Sequence, residues 1–150
     1  MNAVHDIMST SPVTVQASTS VDELLVLFDR YDFNAFPVLD EHERVLGIVS
    51  KLHVLQLFMA YHELSSSVTD SIDVIRVAEI MRHDAICVEA HDSITAAGNL
   101  MVTKKLRSLP VVGQRSKHPV LVGMLSRGDV LRWLRFQLAE GRYARQEKAS

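Results

Sequence analysis

The sequence predicts a mixed α+β (α/β) chain built from two tandem strand-helix-strand-strand-helix repeats. Three observations lead there. Gly47-Ile48-Val49-Ser50-Lys51-Leu52-His53 returns as Gly123-Met124-Leu125-Ser126-Arg127-Gly128-Asp129; a shift of 73 residues lays much of the first half on the second; and both halves alternate strand-like with helix-like apolar spacing in the same order. The shift puts Val4 on Val77, Ile7-Met8 on Ile80-Met81, Ser20 on Ser93 and Pro37-Val38 on Pro110-Val111. From Gly47 to Gly123 the offset is 76, so three extra residues fall in the turn-rich stretch Gly113 to Pro119.

The elements follow in order. Val13 and Val15 alternate with polar residues as a short half-buried strand does. Ser20-Val21-Asp22-Glu23 is a capping box, and Val21, Leu24, Leu25 and Phe28 keep the spacing of one helix face, so a helix is expected from about Val21 to Asp32. Phe36 to Leu39 and Val45 to Val49 are apolar runs separated by five polar residues, the pattern of a β-hairpin. After Ser50, a natural N-cap, Leu52, Leu55, Phe58 and Met59 mark a second helix face. The second copy repeats this with Ile86 and Val88, a helix from Ile94 to about Lys105, strands at Pro110 to Val112 and Val120 to Leu125, and a helix from Arg127 to about Leu138. Gly98 inside a helix costs about 1 kcal/mol relative to Ala, which suggests close approach to a neighbour. The expected organisation is repeat 1 at 4–62, a linker at 63–76 centred on Ser65 to Ser71, repeat 2 at 77–139, and a flexible tail at 140–150.

Composition narrows the functional classes. With 150 residues, 47% of them hydrophobic and 23% charged, the chain suits one globular domain or two small halves sharing a core. A net charge of −2 gives no global field for nucleic acid or anionic lipid. One cysteine, Cys87, excludes an internal disulfide, and neither a leader-like start nor a run of about 20 apolar residues is present, so the cytoplasm is the expected compartment. The seven histidines lack metal-site spacing, Cys87 stands at a strand position where an inert thiol is expected, and no nucleophile is paired with a base. No metal site and no enzyme activity are expected. Lys104-Lys105-Leu106-Arg107 is a basic cluster at a helix C-terminus, without the interleaved aromatics of a nucleic-acid site.

The joint pattern of Asp6-Ile7-Met8, Ser11-Pro12-Val13, Phe36-Pro37-Val38 and Gly47-Ile48-Val49-Ser50 with Glu79-Ile80-Met81, Leu109-Pro110-Val111 and Gly123-Met124-Leu125-Ser126 resembles a tandem pair of CBS domains, or Bateman module. The resemblance covers about Val4 to Leu138. It implies two repeats packed about a pseudo-twofold axis with two clefts between them, binding adenosine-containing ligands such as AMP, ADP, ATP, S-adenosylmethionine or NAD(H), and a homodimer formed through helices. It further implies a regulatory module that signals to a partner protein, the alternative being a structural dimerisation module with vestigial sites.

Carried onto this chain, the resemblance places Ser126, Asp129, Arg107 and Ser108 in one cleft, with Asn34, Ala35 and Phe36 from the first copy, and Gln16 and Ile48 lining the base. Ser11, Ser50, Lys51, Leu109 and Met124 would serve the other. Chemistry supports the first assignment, because a carboxylate can accept both hydrogen bonds of a vicinal diol, and the helix start after Ser126, helped by Arg127 and Arg107, could face a phosphate. A second role stays open for Asp129, that of reaching back to the cap N–H as in a capping box. His53 stands where the first copy should carry the acid, and an imidazole cannot accept from both hydroxyls, so one competent site per chain is expected.

Overall fold

A computed structural model describes residues 2–64, 74–114 and 117–149, with the side chains of residues 63 and 64 left aside. The expected connection from Ser65 to Ser71 lies outside the described residues. After a short 3-10 turn at Val4–Asp6, the first half runs β1 (Val15–Gln16), α1 (Val21–Arg30), β2 (Ala35–Leu39), β3 (Val45–Ser50) and α2 (Lys51–Leu64). The second half opens with the four-residue α3 (Val77–Ile80) and continues β4 (Val88–Glu89), α4 (Ile94–Lys104), β5 (Ser108–Val112), β6 (Leu121–Ser126) and α5 (Arg127–Ala149).

The starts expected from the sequence are made by the expected groups. Ser20 Oγ accepts the Glu23 N–H at 3.1 Å while the Ser20 N–H donates to Glu23 Oε2 at 3.2 Å, closing the capping box of α1. Ser93 caps α4 in the same way through the Ala96 N–H, and Lys105 ends it in the left-handed conformation at φ 55°. α5 departs from expectation. It runs on to Ala149 instead of ending near Leu138, and residues 140–149 are helix, not a frayed tail. Ala139, Glu140, Arg142, Ala144, Arg145, Gln146, Glu147 and Lys148 are strong helix formers with no proline among them, so propensity carries a segment that has no apolar face to bury.

Each half holds a three-stranded sheet in which the middle strand pairs in parallel with the first and antiparallel with the third, in the order β1-β2-β3 and β4-β5-β6. Both sheets carry a proline in the middle strand, Pro37 opposite Ile48 and Pro110 opposite Met124. A proline lacks the N–H that a central strand needs on both edges. Here the parallel neighbour begins one residue later, at Val38 and Val111, so neither proline faces it. The partners Ile48 and Met124 turn their own backbone groups outward instead. Ile48 exchanges two hydrogen bonds with Arg82, at 3.0 and 2.9 Å, and Met124 exchanges two with Ser9, at 3.0 and 2.9 Å.

Those outward bonds join the halves. The segment that opens the first repeat pairs with the last strand of the second, and the segment that opens the second pairs with the last strand of the first. The exchange reaches the cores. Val77 and Ile75 are buried with Val21, Leu24, Phe36, Val38 and Val49 of the first half, whereas Val4 is buried with Val88, Ala97, Met101, Leu109 and Leu125 of the second. Backbone bonds from the Val77 N–H to Thr19 O and from the Val4 N–H to Asp92 O, both 2.8 Å, fix each exchange. The repeats contiguous in sequence are therefore not contiguous in space.

Gly47 and Gly123 permit the crossings. A Cβ on Gly47 would stand 2.2 Å from the Arg82 carbonyl oxygen, and one on Gly123 2.6 Å from both the Ser9 carbonyl oxygen and Met8 Sδ. By contrast, a Cβ on Gly98 would meet Val130 of α5 at an ordinary 3.7 Å, so approach alone does not require that glycine.

Gly47→Ala should lower the unfolding free energy by about 2 kcal/mol or more in denaturant titrations, since backbone must move. Gly141→Ala, with no neighbour within 4 Å and lying inside α5, should leave it unchanged or raise it by about 0.5–1 kcal/mol.

Candidate functional site

Where the exchanged segments cross, the halves enclose a cavity of about 420 Å³. Its apolar wall comes from Pro12, Val13, Pro37 and Met124, and its polar wall from Asn34, Arg107, Ser108, Ser126, Asp129 and Arg132, with Ser9, Asp32, Phe33, Ala35 and Leu125 completing the lining. These residues stand on the crossing segment, the turn from α1 into β2, the turn from α4 into β5, and the junction of β6 with α5. Arg107 and Asn34, which are 73 residues apart, meet across the pseudo-twofold relation, Nη1 to Oδ1 at 3.4 Å.

Asp129 is the most enclosed charge in the cavity, with its side chain 12% exposed against 70% for Arg132. Its carboxylate is already engaged. Oδ2 accepts the Ser126 N–H at 2.8 Å, Oδ1 pairs with the Arg132 guanidinium, and the Asp129 N–H donates to Ser126 Oγ at 3.2 Å. The capping-box role left open by the sequence is thus occupied, and each carboxylate oxygen keeps a lone pair for a further donor. The helix start is partly committed, because the Arg127 N–H donates to Arg107 O at 3.1 Å. Of the N–H groups at that start, those of Ser126, Arg127 and Asp129 have partners within the chain, which leaves Gly128 to supply the expected phosphate cradle.

Six of the expected residues, Ser126, Asp129, Arg107, Ser108, Asn34 and Ala35, line this one cavity. Others stand elsewhere. Arg127 turns away, its Nε donating to Leu106 O at 2.8 Å, and it lines a separate groove between α4 and α5. Phe36 is fully buried in the first core against Phe28, ring centroids 4.7 Å apart, because β2 is covered on both faces. Gln16 is exposed on the edge strand β1 and faces a shallow groove with Thr19 and Asp22. Ile48 is held by its backbone against Arg82, and Leu109 is core. Met124, assigned from sequence to the other cleft, lines this cavity, while Ser11 is exposed outside its lining. Asp32, Phe33 and Arg132 were not found from sequence. Arg132 could have been, since it stands one helical turn beyond Asp129.

The pseudo-equivalent junction in the first half repeats the cap with different chemistry. The Ser50 N–H donates to His53 Nδ1 at 3.1 Å and the His53 N–H to Ser50 Oγ at 3.2 Å, so the imidazole occupies the carboxylate's position in the box. Lys51 directs Nζ toward the Phe28 ring, 5.9 Å from its centroid. Among the described residues no group of three His, Cys, Asp or Glu could hold a metal ion, and no helix is long and apolar enough to cross a membrane. Cys87 is half-buried, and burial pushes its thiol pKa up.

The family model for the CBS domain matches residues 4–60 and 77–135, and the chain belongs to that family as a tandem pair. It is 30% identical over 123 residues to a homoserine O-acetyltransferase of Methanocorpusculum labreanum, matching 82% of this chain and 22% of that protein. It is 28% identical over 141 residues to the chloroplastic CBS domain-containing protein CBSX1 of Arabidopsis thaliana, matching 79% of this chain and 57% of that one. The chain therefore spans between a fifth and just over half of these curated relatives. Among solved structures, CBSX2 in complex with AMP superposes with a TM-score of 0.74 at 28% identity, covering 93% of this chain and 99% of that chain.

Burial, reinforced by the charge of Arg82, holds the His53 pKa below its usual value. The folded state then binds fewer protons than the unfolded chain, so this group's contribution is complete above the unfolded value of about 6.5 and is lost as pH falls through the lower folded value. Unfolding free energies measured between pH 8 and 5 should fall more steeply below pH 6.5 for the wild type than for His53→Asp, which copies the second cap.

Proposed function

We propose that this chain is a non-enzymatic regulatory module that takes an adenosine-containing ligand, of the AMP, ADP or ATP class, into the cavity lined by Asp129 and passes the change to a partner. The observation that carries this reading is a nearly buried carboxylate, with Ser126 and Arg107 beside it, in a cavity formed by both halves. A ribose diol donates two hydrogen bonds and a carboxylate is acceptor-only, so the ligand's hydroxyls take the lone pairs that the cap and Arg132 leave on the two oxygens. The AMP complex of the related CBSX2 supports the choice of ligand class. Because the cavity draws on both halves, a bound ligand has differential affinity for their relative arrangements, which is what a regulatory output needs. A single competent site per chain follows from His53, whose Nδ1 is spent on the cap of α2.

The same reading makes the chain a homodimer through α2 and α5. Leu52, Leu55, Phe58 and Met59 on α2 and Leu131, Leu134, Phe136 and Leu138 on α5 are all more than 40% exposed, an apolar surface of the kind that marks an interface. It also supports a second reading, a structural dimerisation module whose cavity is vestigial.

AMP at a hundred times its Kd should raise the unfolding free energy by about 2.7 kcal/mol, read by thermal shift or calorimetry. Asp129→Ala should abolish the shift, and so should Asp129→Asn, which keeps an acceptor for the cap. A shift that survives both variants sinks the site assignment, and no shift with any adenosine ligand favours the structural module. Leu55→Glu with Leu134→Glu should convert a dimer to a monomer by light scattering.

A further inference from the structure

Resting on the adenosine reading, the charges around the cavity narrow the ligand. We infer that the cavity selects an adenosine ligand with at most one phosphate over the corresponding di- and triphosphates.

The charged groups that line the cavity are Asp32, Asp129, Arg107 and Arg132, and their formal charges cancel. They are not equally available. The Arg132 guanidinium is paired with Asp129 Oδ1, so turning it toward a phosphate would leave a carboxylate that is 12% exposed without its counter-charge. Arg107 donates to the Asn34 side-chain oxygen, a neutral partner, and among the described residues lining the cavity it is the cation that no carboxylate pairs with. Asp32 adds a second carboxylate to the same lining.

Further donors that a polyphosphate would use are mostly committed within the chain. At the start of α5 the Ser126, Arg127 and Asp129 N–H groups are spent on Asp129 Oδ2, Arg107 O and Ser126 Oγ, which leaves the single N–H of Gly128. The Arg127 side chain is bonded to Leu106 O in the groove on the other side. A phosphate monoester brings about −1.5 to −2 charge at neutral pH, of which Arg107 offsets one unit, and each further phosphate adds charge without a matching cation. The volume agrees: about 420 Å³ lies toward the lower end of the roughly 300–1,000 Å³ typical of small-molecule pockets.

Isothermal titration of the full chain with adenosine, AMP, ADP and ATP at fixed ionic strength tests this. AMP should bind at least ten times more tightly than ATP, with ADP between them. Asp32→Asn, at an exposed position outside both cores, should narrow the AMP-to-ATP ratio by raising ATP affinity more than AMP affinity. ATP binding as tightly as AMP overturns the inference and leaves the adenosine reading standing, as does a ratio unmoved by Asp32→Asn. If none of the four binds, the adenosine reading and this inference fall together.

Discussion

The structure depends on two glycines across which backbone meets backbone. At Gly47 and Gly123 the absent Cβ lets the segment opening one repeat lie against the closing strand of the other, close enough that any side chain would collide with a carbonyl oxygen. The paired bonds between Ile48 and Arg82, and between Met124 and Ser9, then occupy one edge of each sheet, at β3 and β6. Sheet edges left open are templates for unwanted pairing, and here each half covers that edge of the other. The same crossings bury Val4 and Val77 in opposite cores, so the halves become one cooperative unit and the cavity between them has walls from both.

The functional chemistry grows from the caps at the end of those closing strands. Ser126 with Asp129 and Ser50 with His53 make the same reciprocal box, and both boxes start a long helix. A carboxylate has lone pairs beyond the one that the cap consumes, whereas a neutral imidazole has a single acceptor nitrogen and spends it on the cap. Helix initiation and ligand recognition therefore coexist at Asp129 and exclude each other at His53. Arg132 takes one further lone pair of Asp129 and supplies its counter-charge, and one lone pair on each oxygen is left for a ligand.

Much of this was legible in the sequence, for identifiable reasons. Helix starts are written in Ser20, Glu23 and Ser93, and the repeat is written in the matched prolines and glycines, because caps and backbone approach demand particular residues. The exchange of opening segments was not legible, since isolated one-residue bridges such as Ile48 with Arg82 leave no periodic signal. The facing of β2 was lost for a related reason. Phe36, Pro37 and Val38 are all buried, so no alternation tells that Pro37 and not Phe36 reaches the cavity. Arg127 was misplaced because a guanidinium at a helix start serves a nearby carbonyl as readily as a ligand, and the Leu106 oxygen is within its reach. α5 outran its expected end because polar helix formers need no buried face to stay helical when a packed segment precedes them.

The central claim is that one carboxylate serves its cap, Arg132 and a ribose diol together, and a crystal structure of the chain grown with AMP tests it most directly. Both ribose hydroxyls should lie within hydrogen-bond distance of Asp129, with the Arg132 pair kept and the phosphate beside Arg107. AMP bound away from Asp129, or bound in the cavity with no ribose contact to that carboxylate, would contradict it.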